Sequence, residues 1–210
     1  TAPGRFDTAR PIGRVRNSNA ITYTISASGM TFAAQIAEAE GNPSGSTNTV
    51  DERPFGAALA YASGPFRAAL AYENPSNPED YWMTLSASYD FGMVKLGGLY
   101  GKGVNQVGQD HRSMLITATA PIGAGEFRIA YGNLKNQGGA VAGVARPGYD
   151  AIKAIAVGYH YSLSKRTTIC ADFINNKREG LLAAVPATSY SVVDVAGPKN
   201  GYDLGIKHNF

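Results

Sequence analysis

Residues 55–72 read FGAALAYASGPFRAALAY, a pattern running from Phe55 to Tyr61 that returns eleven residues later from Phe66 to Tyr72. Successive side chains of a strand point to opposite sides. Taken as strands, Phe55, Ala57, Leu59 and Tyr61 therefore share one face, and Phe66, Ala68, Leu70 and Tyr72 share one face of the next. Arg67 then points the other way. An Ala-rich helix competes with this reading, since Ala has the best helix propensity. Gly64-Pro65 would break that helix, and the pieces left are too short to be stable alone. The repeat predicts a β-hairpin.

The same two-residue period continues outward from the hairpin in both directions, and helical periodicity does not. Ile21, Tyr23 and Ile25 alternate with Thr22, Thr24 and Ser26, and Phe32, Ala34 and Ile36 with Ala33 and Gln35. Tyr81, Met83, Leu85, Ala87, Tyr89 and Phe91 alternate with Trp82, Thr84, Ser86, Ser88 and Asp90. Val94, Leu96 and Tyr100 face away from Lys95 and Gly97, and Phe127, Ile129 and Tyr131 away from Arg128 and Ala130. Ile155, Val157, Tyr159 and Tyr161 oppose Ala156, Gly158 and His160; Tyr202, Leu204, Ile206, His208 and Phe210 oppose Asp203, Gly205, Lys207 and Asn209. Two further strands are expected at 112–121 and 167–176, with their phase open. That makes eleven strands of about 8 to 14 residues, near the roughly 9–11 that a tilted membrane strand needs.

The connections alternate between short and long. Short links fall at Ser28-Gly29, Ser63–Pro65, Asp90–Gly92, Ile122–Gly125 and Leu163–Arg166, and long ones at 41–53, 74–80, 102–111, 135–151 and 177–200. Short turns at one rim and long loops at the other are expected of an outer-membrane barrel, whereas a soluble sandwich has no reason to segregate them. Aromatic residues gather at both rims. Tyr61, Phe66, Tyr89, Phe91, Phe127, Tyr159 and Tyr161 lie beside short turns, and Phe55, Tyr72, Tyr81, Tyr100 and Tyr131 near long loops. Two such belts match the two interfaces of an apolar slab.

Composition agrees. Of 210 residues 44% are apolar and only 17% charged, with 25 Gly, 12 Tyr and 8 Phe. Mean hydropathy is −0.17, and no stretch approaches the roughly 18 to 20 apolar residues of a membrane helix. A helical membrane protein is excluded, while a barrel hides its apolar face from any averaged index. The net charge of +3 is too mild for a nucleic-acid partner. Cys170 is the single cysteine, so no internal disulfide framework exists.

Gly201–Phe210, reading GYDLGIKHNF, resembles the last strand of Gram-negative general porins of the neisserial and beta-proteobacterial type. Tyr159–Thr168, reading YHYSLSKRTT, is similar to a periplasmic turn of the same family, though Cys170 stands where the family more often has Tyr. Gly4–Asp7 and Arg16–Ser18 resemble the exit of that family's constriction loop. The resemblance covers nearly the whole chain. It implies a sixteen-stranded, homotrimeric barrel in the outer membrane of a Gram-negative cell, admitting small hydrophilic solutes and ions and handled by the barrel assembly machinery. Residues 1–13 would then be the end of the constriction loop and 14–210 the C-terminal eleven strands of one barrel domain. Strand parity gives the same expectation. The first strand here starts at the long-loop rim and the last ends at the short-turn rim, while bacterial barrels have even strand numbers. An odd number, five on this resemblance, is expected to precede Thr1.

If the phase holds, Arg14, Arg16, Arg67, Lys95 and Arg128 point into the lumen, with Arg5 and Arg10 in the loop remnant beside them. Acids on that face are expected to be fewer, chiefly Glu73, Asp90 and Asp203. Basic side chains along a narrow polar pore concentrate anions, so a mild anion preference is expected. Tyr202 and Phe210 are the expected assembly signal of the closing strand. Catalytic, metal and cofactor sites are not expected: His111, His160 and His208 lack metal-ligand spacing, and no Gly-x-Ser-x-Gly elbow is present. A substrate-specific channel, hinted at by an inward Trp82, and a soluble all-β binding domain remain as alternatives.

Overall fold

A computed structural model of the chain describes residues 19–38, 53–74, 80–104, 110–137, 139–141, 144–146, 149–179 and 200–209. Its strands are β1 (Ala20–Ala27), β2 (Met30–Ala37), β3 (Phe55–Ser63), β4 (Phe66–Asn74), β5 (Tyr81–Asp90), β6 (Lys95–Val104) and β7 (Asp110–Ile122). They continue with β8 (Gly125–Gln137), β9 (Gly139–Val141), β10 (Val144–Arg146), β11 (Tyr149–Ser162), β12 (Thr167–Glu179) and β13 (Asn200–His208). Eleven of them form one antiparallel sheet in chain order, with β8 beside β11; β9 and β10 form a separate two-stranded ribbon.

Short turns hold the hairpins in register. Ser28 and Gly29 both have positive φ, 49° and 79°, which suits the tight two-residue turn whose twist matches its flanking strands. Only glycine fits at 29, since a Cβ there would run into the Ala62 carbonyl. Between β5 and β6 the Asp90 carboxylate accepts the Gly92 N–H at 2.8 Å, and between β11 and β12 the Ser164 hydroxyl accepts from the N–H groups of Arg166 and Thr167. Asp and Ser are suited to such turns because their side chains mimic a backbone acceptor.

The expected repeat is a hairpin: β3 pairs with β4 from Phe55↔Asn74 to Ser63↔Phe66. The expected connection at 135–151 is shorter than the sequence suggested, because β8 runs on to Gln137, β11 begins at Tyr149, and the small ribbon fills the gap. The ladder outlasts the apolar alternation there, since backbone pairing can continue where side chains are polar.

Register settles the two open phases. Thr117 pairs with Ala130 and Gly97, and Thr119 with Arg128 and Lys95, so the odd residues of β7 share a face with Arg128. Asp172 pairs with Gly158 and Asp203, so the even residues of β12 join them. One face of the sheet thus carries mainly Ser, Thr, Gly, Ala and charged groups, and the other mainly Ile, Leu, Met, Tyr and Phe; Leu115 and Ile174 on the first and Arg112 and Lys177 on the second are exceptions.

Residues from non-adjacent strands, Lys95 on β6, Arg128 on β8 and Asp203 on β13 among them, line a single cavity of about 720 Å³. The sheet therefore curls with its polar face inside. Its apolar face is left uncovered, and the buried apolar residues among those described are only Ala37, Leu134 and Ala154. In water such a continuous apolar surface would associate; in lipid it is solvated. The aromatic residues of this face cluster at both ends. Tyr61–Phe66, Tyr89–Phe91 and Tyr159–Tyr161 lie 6.3, 4.5 and 6.4 Å apart beside short turns, and Tyr72 stacks on Tyr81 at 6.2 Å at the far rim.

Among the described residues the sheet is open: β1 is hydrogen-bonded only to β2, and β13 only to β12. Side chains on the edges feel the missing neighbour. Ile21 and Leu204 are 76% and 82% exposed, against 43% for Leu59 and 45% for Leu96 within the sheet.

Leu85 lies midway along β5 on the apolar face and Ser86 on the polar one. Leu85→Lys should cost about 2–4 kcal/mol in a bilayer, as for a lysine near the midplane. Ser86→Lys should cost far less, and urea unfolding from lipid vesicles compares the two directly.

Candidate functional site: the polar inner wall

Placement of the expected wall residues differs by region. Arg5, Arg10, Arg14, Arg16 and Phe210 lie outside the described residues. Arg67, Lys95 and Arg128 all stand on the polar face, and each sits near a short turn rather than at mid-height. Arg67 is the second residue of β4, Lys95 opens β6 opposite Asp90, and Arg128 comes three residues after the start of β8. Trp82 also faces inward, lying against the glycines at 101 and 103, where a Cβ would collide with its indole. Tyr202 faces outward and packs on Phe173 at 5.0 Å.

Among the described residues the acids on this face are not the fewer, while Arg14 and Arg16 of that expectation lie outside them. Besides Glu73, Asp90 and Asp203 the register adds Glu126 and Asp172, which fell on strands whose phase the sequence left open or beside a turn. Glu126 ion-pairs with Arg128 at 2.5 Å, so one of the three expected cations that fall within the described residues is already partnered. Lys207 is a base on the same face that the charge reading passed over.

A second polar cluster joins β11 to β12. His160 Nε2 lies 3.1 and 3.2 Å from the two oxygens of Asp172, and its Nδ1 is 3.5 Å from Cys170 Sγ. The His160 and Asp172 side chains are only 11% and 10% exposed. Gly158, register partner of Asp172, makes this possible, since a Cβ would run into the carboxylate. Sequence placed His160 on the inner wall, but its partner lay on a strand of open phase. The group is structural in form. Among the described residues no set of three or more His, Cys, Asp and Glu is placed to hold a metal ion.

A curled sheet with a polar concave wall, an apolar convex one and aromatic belts at both rims has close counterparts. The sequence profile of the Gram-negative porin family matches residues 2–181. The chain belongs to that family. Its place is the outer membrane of the Gram-negative cell. Outer membrane porin protein 32 of Delftia acidovorans is 32% identical over 136 residues, covering 61% of this chain and 36% of the relative. The chain thus spans well under two thirds of that relative's length. Among solved structures, an anion-selective porin from Comamonas acidovorans superposes with a TM-score of 0.63 at 27% identity, over 78% of this chain and 50% of that one. A porin structure refined at 1.8 Å, 19% identical, gives a TM-score of 0.62 over 90% of this chain and 60% of that one, and shares the fold.

Trp82 is the single tryptophan of the chain, so its fluorescence reports on the wall alone. Gly101→Val should push the indole off β6, raise iodide quenching and cost about 1–3 kcal/mol through overpacking. Unchanged quenching in a folded variant would contradict the observed packing.

Proposed function

We propose that this sheet is part of the wall of a water-filled porin channel for passive diffusion of small hydrophilic solutes and ions, with a mild anion preference. The observation that carries it is the two-faced sheet: a polar, charged concave wall behind an apolar surface fit for lipid. Unpaired backbone groups have no water to bond in hydrocarbon, so the edges at β1 and β13 call for strand partners in the working barrel. A sixteen-stranded homotrimer built by the barrel assembly machinery is the assembly that the resemblance supports. The fold is that of a conduit, and no step of bond chemistry is assigned to it.

The described wall carries five acids, Glu73, Asp90, Glu126, Asp172 and Asp203, against Arg67, Lys95, Arg128 and Lys207. Its net charge therefore does not favour anions. The preference rests on Arg5, Arg10, Arg14 and Arg16, assigned on resemblance to the end of the constriction loop and the strand after it. The likeness to a porin named as anion-selective supports the sign. Charges at the narrowest point count most, because a low-dielectric wall focuses their field.

In planar bilayers under a salt gradient, the protein should show a reversal potential of anionic sign. Arg14→Ala with Arg16→Ala should move it toward zero, and a cationic sign or no movement would remove the assignment. Deleting Phe210 tests the terminal strand as an assembly signal: outer-membrane yield should drop several-fold, with the protein left in the periplasm or degraded.

A further inference from the structure

Toward the long-loop rim the inner wall of β2 to β7 is built differently from the half that holds Arg67, Lys95 and Arg128. Register sets Gln35, Gly56, Glu73, Trp82, Gly103 and His111 side by side in one row. The row beneath holds Ala33, Ala58, Ala71, Thr84 and Gly101. Glu73 and Trp82 are thus neighbours on adjacent strands, with a glycine on either side and small side chains below. Cross-strand partners of this kind have Cβ atoms about 5 Å apart, so both side chains can reach one solute.

The indole is laid out as a platform. A Cβ at Gly101 would come within 2.5 Å of Trp82 Cζ2, and one at Gly103 within 2.5 Å of Cε3, so the ring lies over the backbone of β6. One face rests on those glycines and the other is turned to the lumen. Beside it opens a cavity of about 740 Å³, whose lining includes Gln35, Ala58, Ala71, Glu73, Trp82 and Thr84. The Gln35 amide is already engaged, donating to Thr22 Oγ1 at 2.8 Å. Among the described residues Glu73 is the one charged group on the inner face in this half of β1 to β5. The inward base of these strands, Arg67, is six residues away along β4, roughly 20 Å at the rise of a strand.

A ring face attracts cations, and that of tryptophan does so best. The neighbouring carboxylate adds a charge of matching sign, and the alanine floor gives alkyl groups an apolar bed. An anion would need a base here, and a sugar would need more free hydrogen-bonding side chains than the wall offers. We propose that Trp82 and Glu73 form a binding subsite for an organic ammonium ion, a cation carrying alkyl groups, in the half of the pore nearest the long loops. The subsite rests on the channel reading for its access to solute. It adds to that reading a solute class that the overall anion preference disfavours.

The test uses the full-length protein in an uncharged detergent, with labelled choline as the probe in equilibrium dialysis. Its neutral isostere 3,3-dimethylbutan-1-ol, potassium ion and glucose serve as competitors. Choline should bind saturably, with the isostere and potassium competing roughly tenfold more weakly and glucose not at all. Trp82→Leu should weaken choline binding about tenfold and Glu73→Gln about fivefold, from the usual strengths of a cation over a ring and of a partly exposed ion pair. Trp82→Phe keeps a weaker ring face and should fall between Trp82→Leu and the wild type. Should Trp82→Leu fail to fold, Trp82→Phe and Glu73→Gln still carry the test. Wild-type affinity in the folded variants overturns the proposal, as does equal competition by the isostere or by glucose. Conductance in potassium chloride is measured separately. A conducting barrel that binds no choline removes the subsite alone, and a barrel that does not conduct removes the channel while dialysis still decides the subsite.

Discussion

Every backbone N–H and C=O of a membrane strand must find its partner in the next strand, because hydrocarbon offers no water to replace it. That requirement organises the chain. It explains a continuous ladder through the eleven-stranded sheet, the short turns that reverse the chain within two to four residues, and a register that keeps its faces across the sheet apart from one irregularity between Tyr149 and Ile152 at the start of β11. A one-residue slip would exchange the two faces of a strand, turning Leu85 into the pore and Ser86 into lipid. Turn chemistry guards against this. The Asp90 and Ser164 side chains fix where two of the hairpins reverse, and the Ser28-Gly29 backbone fixes a third.

The two faces solve different problems. Outward, the chain buries almost nothing in itself and leaves the stabilising transfer from water to the bilayer, with Tyr and Phe marking the depth at which lipid ends. Inward, charges are balanced locally: Arg128 against Glu126 and Lys95 opposite Asp90, while Asp172 is hydrogen-bonded by His160. Such pairing suits a wall that must stay hydrated without repelling itself. It also means that a count of basic residues is a poor guide to selectivity, which depends on the charges left unbalanced where the passage is narrowest.

Much of this was legible in the sequence, and for a physical reason. Where lipid touches one face and water the other, strict alternation results, as in β3, β4 and β5. The reading weakened where that contrast does. On β7 the apolar Leu115 faces inward and Arg112 outward; on β12 Ile174 faces inward and Lys177 outward. These exceptions blurred the period, and with it the places of Asp172 and of the outward bases. Glu126 was missed because it stands beside a turn, where alternation has barely begun.

The neighbour-to-neighbour order of the sheet bears on how it is built. Apart from β8 with β11, the strands that pair in the sheet follow one another in the chain, so the sheet can grow largely one hairpin at a time, each new strand templated by the last. Loop-closure entropy is then small at every step, and the topology sets no kinetic trap of its own. Three junctions span longer connections: β2 to β3, β8 to β11 across the ribbon, and β12 to β13 across some twenty residues. In that order β13 joins the sheet last, and its bare edge, with Tyr202, Leu204 and Ile206 exposed, is the surface on which any further strand has to pair.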